Sequence, residues 1–250
     1  MIEATGLTKH YGQTVAIESL DLSVPDGVVY GFLGPNGAGK TTTMRILTTL
    51  TQPTSGSATI NGTPISDRTA VTRHIGYLPE VPPLYAELTA FEQLDLAAGL
   101  RDLSPSQSSE RITSLLDRLD LREDAQTKIA DFSRGMRQKT GFIQAILHDP
   151  AVLFLDEPTA GLDPRAARTL RELIVEHAAS GTTVFLSTHI LSVVEEIADT
   201  VGVLYDGRLV AEDTPSDLTH RAETGDHQTL EAAFLELTSE EPNTEQAAND

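Results

Sequence analysis

Gly34-Pro35-Asn36-Gly37-Ala38-Gly39-Lys40-Thr41-Thr42 decides the fold. The stretch fits G-x-x-x-x-G-K-[ST], a glycine-rich turn whose backbone N–H groups cradle phosphate. Its flanks agree. Val28 to Leu33 is a short apolar run that reads as a buried strand, and a helix is expected from about Lys40 to Leu50. Glycines let the backbone approach an anion closely, and a helix N-terminus adds partial positive charge. Gly34, Pro35, Asn36, Gly37, Ala38, Gly39, Lys40, Thr41 and Thr42 are therefore the expected nucleotide-binding residues. Lys40 should reach the β- and γ-phosphates, and the Thr41 hydroxyl should ligate Mg²⁺.

A second stretch carries the complementary charge. Val152-Leu153-Phe154-Leu155-Asp156-Glu157 places two carboxylates at the carboxyl end of an apolar strand. In open α/β sheets that end faces the ligand crevice. Asp156 is the expected Mg²⁺ partner through water, and Glu157 is placed to orient and polarise an attacking water. An Asp-Glu pair alone would read as a strand end meeting solvent. Beside a phosphate loop it reads as the other half of a site.

Outward from these motifs the chain alternates apolar strands with helical stretches, the pattern of an α/β fold. Thr183 to Leu186 is another short apolar run. Asp163-Pro164 is a capping Asp followed by Pro at the first helical position. Val201 to Tyr205, Asp206-Gly207 and Arg208 to Ala211 read as a β-hairpin. The first 30 residues and Ser57 to Ile65 look like antiparallel strands. From Ala86 to His148 the chain reads as nearly all helix, with capping boxes at Thr89–Glu92 and Ser104–Gln107. The expected division is an ATPase domain over 1–212, with an inserted helical subdomain at about 86–149, then a C-terminal extension over 213–250. Its acidic tail, 239–250, is expected to be disordered.

Composition excludes several classes. Cysteine is absent, so disulfides, thiol nucleophiles and cysteine metal sites do not arise. The longest aliphatic or aromatic run, Ala151 to Leu155, is far short of the roughly 20 residues of a membrane-spanning helix. The N-terminus lacks the pattern of a secretory signal. The 250 residues carry 18 Lys+Arg against 37 Asp+Glu, a net charge of −19, which argues against nucleic acid as a partner. Only Lys9, Lys40, Lys128 and Lys139 are lysines. Many carboxylates with almost no surface lysine point to a high-salt cytoplasm, the plainer alternative being an ordinary acidic protein.

Further residues narrow the class. Phe132-Ser133-Arg134-Gly135-Met136-Arg137-Gln138 resembles the signature sequence of ABC ATPases, in the variant common among subunits of ABC-2 type exporters. Ala160-Gly161-Leu162-Asp163 resembles the D-loop, Ser187-Thr188-His189 the switch histidine, and Ile75 to Glu80 the Q-loop. Tyr11 sits where the family has an aromatic that stacks on adenine. Order and spacing match over roughly residues 1 to 210. Thr229 to Leu237 also looks like a C-terminal extension of that exporter group.

The resemblance implies a P-loop NTPase core with an antiparallel β subdomain and an inserted helical subdomain. It implies ATP and Mg²⁺ as cofactors, with Thr41, Glu80 and Asp156 toward the metal and Lys40, Glu157 and His189 in catalysis. It also implies head-to-tail pairing with a second ATPase subunit, a homodimer, in which Ser133 and Gly135 complete the partner's nucleotide site. A separate transmembrane permease and a position at the cytoplasmic face of the membrane follow. Two departures stand out. Glu80 occupies a position where much of the superfamily has Gln, and it is expected to serve coupling more than binding. Arg134 and Met136 replace the more usual Gly and Gln, and Arg134 either brings a cation near the partner's nucleotide or points to solvent. The competing readings are a soluble ABC ATPase with a non-transport partner and a regulator without turnover. A single phosphate loop, no heptad run and the charge weigh against the former; Glu157 and His189 weigh against the latter.

Overall fold

The structure is a computed structural model describing residues 1–221 and 229–239. The chain opens with β1 (Ile2–Tyr11), β2 (Thr14–Val24), β3 (Val29–Leu33), α1 (Lys40–Leu47), β4 (Ser55–Ile60), β5 (Thr63–Pro64), α2 (Arg68–His74) and β6 (Ile75–Leu78). A helical block follows, with α3 (Ala90–Gly99), α4 (Pro105–Arg118) and α5 (Arg134–Ile146). The chain then alternates β7 (Val152–Asp156), α6 (Pro164–Ala179), β8 (Thr183–Thr188), α7 (Leu191–Ile197) and β9 (Thr200–Tyr205). It continues through β10 (Arg208–Asp213), α8 (Pro215–Arg221) and α9 (Leu230–Ser239). Apart from Ser239, the tail expected to be disordered lies outside the described residues.

Two sheets carry the architecture. A four-stranded antiparallel sheet runs β2-β1-β4-β5, and a six-stranded sheet runs β10-β9-β3-β8-β7-β6. The latter is parallel except for β10 at its edge. Strands β3, β7 and β8 are buried along their whole length, as parallel strands covered on both faces must be. One face meets the antiparallel sheet and α1 through Ile2, Leu20, Met44 and Phe32. The other meets the helices through Phe142, Ile143, Leu153, Leu155 and Leu173.

Four aromatics meet within the parallel sheet. Tyr30 and Phe32 on β3 share a face, as residues two apart on a strand do. With Phe154 and Phe185 they form one cluster, in which Phe185 lies 5.3, 5.1 and 5.7 Å from Tyr30, Phe32 and Phe154. Such ring pairs add about 0.5–1.5 kcal/mol each beyond their buried area. They stiffen the sheet at the strands that end in the two motifs.

Several local expectations hold and others change. Thr89 and Glu92 form the full capping box, and Asp163 accepts from Arg165 N and Ala166 N to open α6. The hairpin turn has positive φ at both Asp206 and Gly207, which matches strand twist. Ser104 makes no cap: its hydroxyl donates to the Gln107 side chain at 2.7 Å, and Pro105 opens α4 instead. Helix α1 stops at Leu47, because Thr49 turns into the left-handed region at φ 63. The helical block is interrupted between α4 and α5, where Leu121, Ile129 and Phe132 come down from a turn-rich connection into the core.

Beneath α5, His148 Nε2 donates to Ile75 O at 3.0 Å. Burial pulls its pKa from 6.5 down to about 4, assisted by Arg101 and Arg111 and opposed by the Ile75 hydrogen bond and Asp149. Burial also lowers His177. The folded-state pKa lies below the unfolded one, so this stabilisation is complete above pH 6.5 and is lost as pH falls toward 4. Thermal unfolding in steps across that window should therefore show a shallower loss of Tm for His148→Gln than for the wild type. Parallel slopes would contradict this account of His148.

Candidate nucleotide site

Three neighbouring strands deliver the site from their carboxyl ends. Strand β3 runs out at Leu33 into the glycine loop, β7 ends at Asp156 and β8 at Thr188. Their register is level: Leu33 pairs with Thr188, and Asp156 with Ser187. A cleft of about 260 Å³ opens there. It brings together Asn36, Gly37, Gly39, Lys40, Thr41 and Thr42 of the loop with Glu80, Asp156, Glu157 and His189, and Ala16 of β2 closes one side.

The loop is shaped by close approach. Gly39 has φ 110, and a β-carbon there would lie 2.4 Å from Ala16 O. Only glycine fits. Lys40 is 7% exposed and donates Nζ to Gly34 O at 2.6 Å and to Pro35 O at 3.1 Å. Burial lowers its pKa, while Glu157, Asp156 and Glu80 push it back up. The ammonium thus rests on neutral carbonyls. An anionic oxygen in the cleft would be the stronger acceptor, because charge-assisted hydrogen bonds are roughly twice as strong.

Asp156 is 2% exposed. Its Oδ2 accepts from the Thr41 hydroxyl at 3.1 Å, and its Oδ1 from the Ser187 hydroxyl in a short hydrogen bond. Burial raises its pKa, the two hydroxyls oppose that, and Glu157 and Glu80 add to the rise. A buried carboxylate beside other carboxylates is stabilised by a cation. The oxygens of Thr41, Asp156 and Glu80 are the hard donors Mg²⁺ prefers. Among the described residues no group of three or more His, Cys, Asp or Glu could hold a metal. The donor set therefore fits an ion held mainly by water and phosphate oxygens.

Glu157 is 8% exposed and stands at φ 49, in the left-handed region that a side chain normally avoids. Such a conformation costs on the order of 1–3 kcal/mol and persists only where the surroundings over-determine it. They do so here. Glu157 N donates to Ser187 O at 2.9 Å, Thr188 Oγ1 donates to Oε2 at 3.0 Å, and His189 N donates to Oε1 at 3.0 Å. His189 Nδ1 also lies 2.7 Å from Oε1. The carboxylate is aimed, and the imidazole is tethered to it.

Other expected residues lie elsewhere. Tyr11 ends β1, 48% exposed, with Lys9 Nζ 5.0 Å from its ring centroid, and it does not line the cleft. Ser133 and Gly135 are also outside the cleft lining, at the start of α5, where Ser133 Oγ accepts from Met136 N at 3.1 Å. The stem of Arg134 lies against Gly161. Sequence reading missed the working hydroxyls of Ser187 and Thr188, and it missed Gln138. The signal for the hydroxyls was present in Ser187-Thr188-His189, but their use follows from the β7–β8 register. Gln138 had no signal beyond its place in the signature.

The geometry has counterparts. A family profile described as ABC transporter matches residues 17–160. The bacitracin transport ATP-binding protein of Bacillus licheniformis is 41% identical over 214 residues, spanning 85% of this chain and 69% of that protein. The Nod factor export ATP-binding protein of Cupriavidus pinatubonensis is 38% identical over 219 residues, spanning 87% of this chain and 67% of that protein. This chain spans 62% of the length of one curated relative and 90% of another. The solved ATP-binding subunit of an ABC transporter superposes with a TM-score of 0.88 at 34% identity, covering 95% of this chain and 99% of that one. A dimeric ATP-binding cassette in a post-hydrolysis state, bound to ADP and phosphate, superposes with a TM-score of 0.80 at 25% identity, covering 86% and 98%.

Proposed function

The chain belongs to the ABC transporter family, and from that premise we propose that it is the ATP-hydrolysing subunit of an ABC-2 type exporter. It works as a pair beneath a separately encoded permease at the cytoplasmic face of the membrane. One observation carries the hydrolytic part: Glu157 is held in a strained backbone conformation with its carboxylate fixed by Thr188 and His189. That expense of strain has a purpose where a water must be aimed at a phosphate.

Each residue then has a task. The loop N–H groups and Lys40 hold the phosphate oxygens, with Lys40 leaving the Gly34 and Pro35 carbonyls for the ligand. Thr41 and Asp156 hold Mg²⁺, which when bound neutralises charge on the β- and γ-phosphate oxygens. Glu157 accepts a hydrogen bond from the attacking water and orients it. His189 keeps Glu157 in place and offers its other ring nitrogen to the γ-phosphate. Glu80 faces this group across the cleft from the loop after β6, which suits a coupling role. Tyr11, exposed at the end of β1, supplies a face for adenine.

Pairing and export rest on different support. Ser133 and Gly135 stand away from the chain's own cleft, which suits residues that complete a neighbour's site, and a related cassette is a dimer. Relatives named for bacitracin transport and Nod factor export support the transport reading and its direction. Val81 and Tyr85, in the loop after Glu80, are 79% and 63% exposed, and Leu100 at the end of α3 is 78% exposed. Exposed apolar side chains such as Val81 and Tyr85, in the loop that follows Glu80, suit a permease contact. Among the described residues no helix is long and apolar enough to cross a membrane.

The acidic balance bears on pairing. Each chain carries −19, and bound nucleotide adds more negative charge. Repulsion between facing surfaces is screened over about 10 Å at 0.1 M salt and about 3 Å at 1 M. Contacts of Lys40 and the helix N-termini with phosphate act at short range and are screened less. High salt should therefore favour closure, in keeping with a saline cytoplasm.

Glu157→Gln should bind MgATP without turning it over. Its mass by light scattering with MgATP should shift from monomer to dimer as KCl rises toward molar concentration. A monomer at every salt concentration would defeat the pairing, and a dimer that weakens steadily with salt would reject the saline argument. The permease contact has its own check. A six-helix membrane protein encoded beside this chain should co-purify with the wild type and be lost with Tyr85→Asp; undiminished co-purification would remove the loop from the interface.

A further inference from the structure

Gln138 is 1% exposed and lies in the second turn of α5, the helix that Ser133 caps. Its side-chain Nε2 donates to Glu157 O at 3.2 Å and to Pro158 O at 3.3 Å. An amide nitrogen carries two N–H bonds, so both are spent on consecutive backbone carbonyls. The turn they grip is the strained one. Glu157 O also accepts from Ala160 N at 3.1 Å, and Glu157 N is held from the opposite side by Ser187 O of β8. Sheet and helix together clamp a backbone that would not hold φ 49 unaided.

A second contact joins the same two segments. A β-carbon at Gly161 would lie 2.9 Å from Arg134 Cδ, and one at Gly135 would lie 3.1 Å from Gly161 O. The first turn of α5 therefore fits directly onto the loop that follows Glu157. The departure at Arg134 finds its place here, packed on this chain's own loop.

We propose that Gln138 is a positioning residue for hydrolysis: it fastens the Glu157 turn to α5, so that the aim of the carboxylate follows the helix carrying Ser133 and Gly135. The proposal rests on the hydrolytic role given to Glu157. It deepens that role by linking the two sites of a pair. When the start of α5 engages a partner's nucleotide, the displacement reaches Glu157 of its own chain through the Gln138 amide. Without the amide, Glu157 O and Pro158 O lose the Gln138 N–H donors, and the turn can relax away from its strained conformation. A carboxylate shifted by about 1 Å loses on the order of 100-fold in rate.

The test compares steady-state ATP turnover by the full chain in high KCl for the wild type, Gln138→Met and Glu157→Gln. Methionine keeps the volume and removes both N–H donors. Gln138→Met should lower kcat by about 10- to 100-fold while leaving KM within about twofold, the pattern of a lost transition-state interaction rather than lost binding. Hydrogen exchange at the Ala160 amide, whose acceptor is Glu157 O, should quicken in Gln138→Met. An unchanged kcat, or unchanged Ala160 exchange in Gln138→Met, overturns the proposal. Full turnover by Glu157→Gln alone removes its premise and is distinguished by that single variant. If Gln138→Met does not fold, Gln138→Asn is read by Ala160 exchange in the same way, and unchanged exchange overturns the proposal.

Discussion

The burial of Asp156 constrains everything around it. A carboxylate 2% exposed at the end of β7, with Glu157 and Glu80 raising its pKa, is expensive. The effective penalty for a buried ion is several kcal/mol even after relaxation (roughly, by analogy with other proteins). The fold offsets it from two sides, with Thr41 at the start of α1 and Ser187 at the end of β8. Those hydroxyls reach Asp156 only if β3, β7 and β8 end at one level, which their parallel register provides. The aromatic cluster of Tyr30, Phe32, Phe154 and Phe185 holds those strands together just behind the cleft. What remains uncompensated is negative charge waiting for a cation, and that remainder is what makes the site a site.

A second consequence is a division of labour within the chain. The sheet supplies fixed groups: Asp156, the hydroxyls and the backbone that holds Glu157. The helical block supplies groups whose position depends on how it sits against that sheet. Helix α5 belongs to both. It packs into the helical core through Phe142 and Ile143, and it touches the Glu157 turn through Gln138. Glu80 leads into the loop that seats Pro82 against Gly141 at the middle of α5. The loop after β6, α5 and the Glu157 turn are thus in continuous contact.

Much of this was legible in the sequence, for a reason that can be stated. The glycine loop and the acidic strand end are local: their chemistry is written in consecutive residues, and buried parallel strands are short apolar runs. Asp163-Pro164 and Thr89–Glu92 are local in the same way, and both caps formed. What could not be read was anything depending on register or on approach between distant segments. Ser187 and Thr188 became partners of Asp156 and Glu157 through pairing of β7 with β8. Gln138 reached Glu157 across 19 positions of sequence. Ser104 does not cap α4: its hydroxyl donates to the Gln107 side chain and accepts from no helix N–H. The stem of Arg134 packs over the bare α-carbon of Gly161, a contact between segments that no local pattern announces.

The central claim is that Asp156 is held buried and ionisable for the sake of a cation that arrives with the nucleotide. ATP affinity with and without Mg²⁺, measured by titration calorimetry in the non-hydrolysing Glu157→Gln background, tests it most directly. With Asp156 present, Mg²⁺ should tighten ATP binding by about tenfold or more, at least ~1.4 kcal/mol. With Asp156→Asn added, that increment should vanish while metal-free binding to the loop and Lys40 persists. The same Mg²⁺ increment with and without the carboxylate would contradict the account.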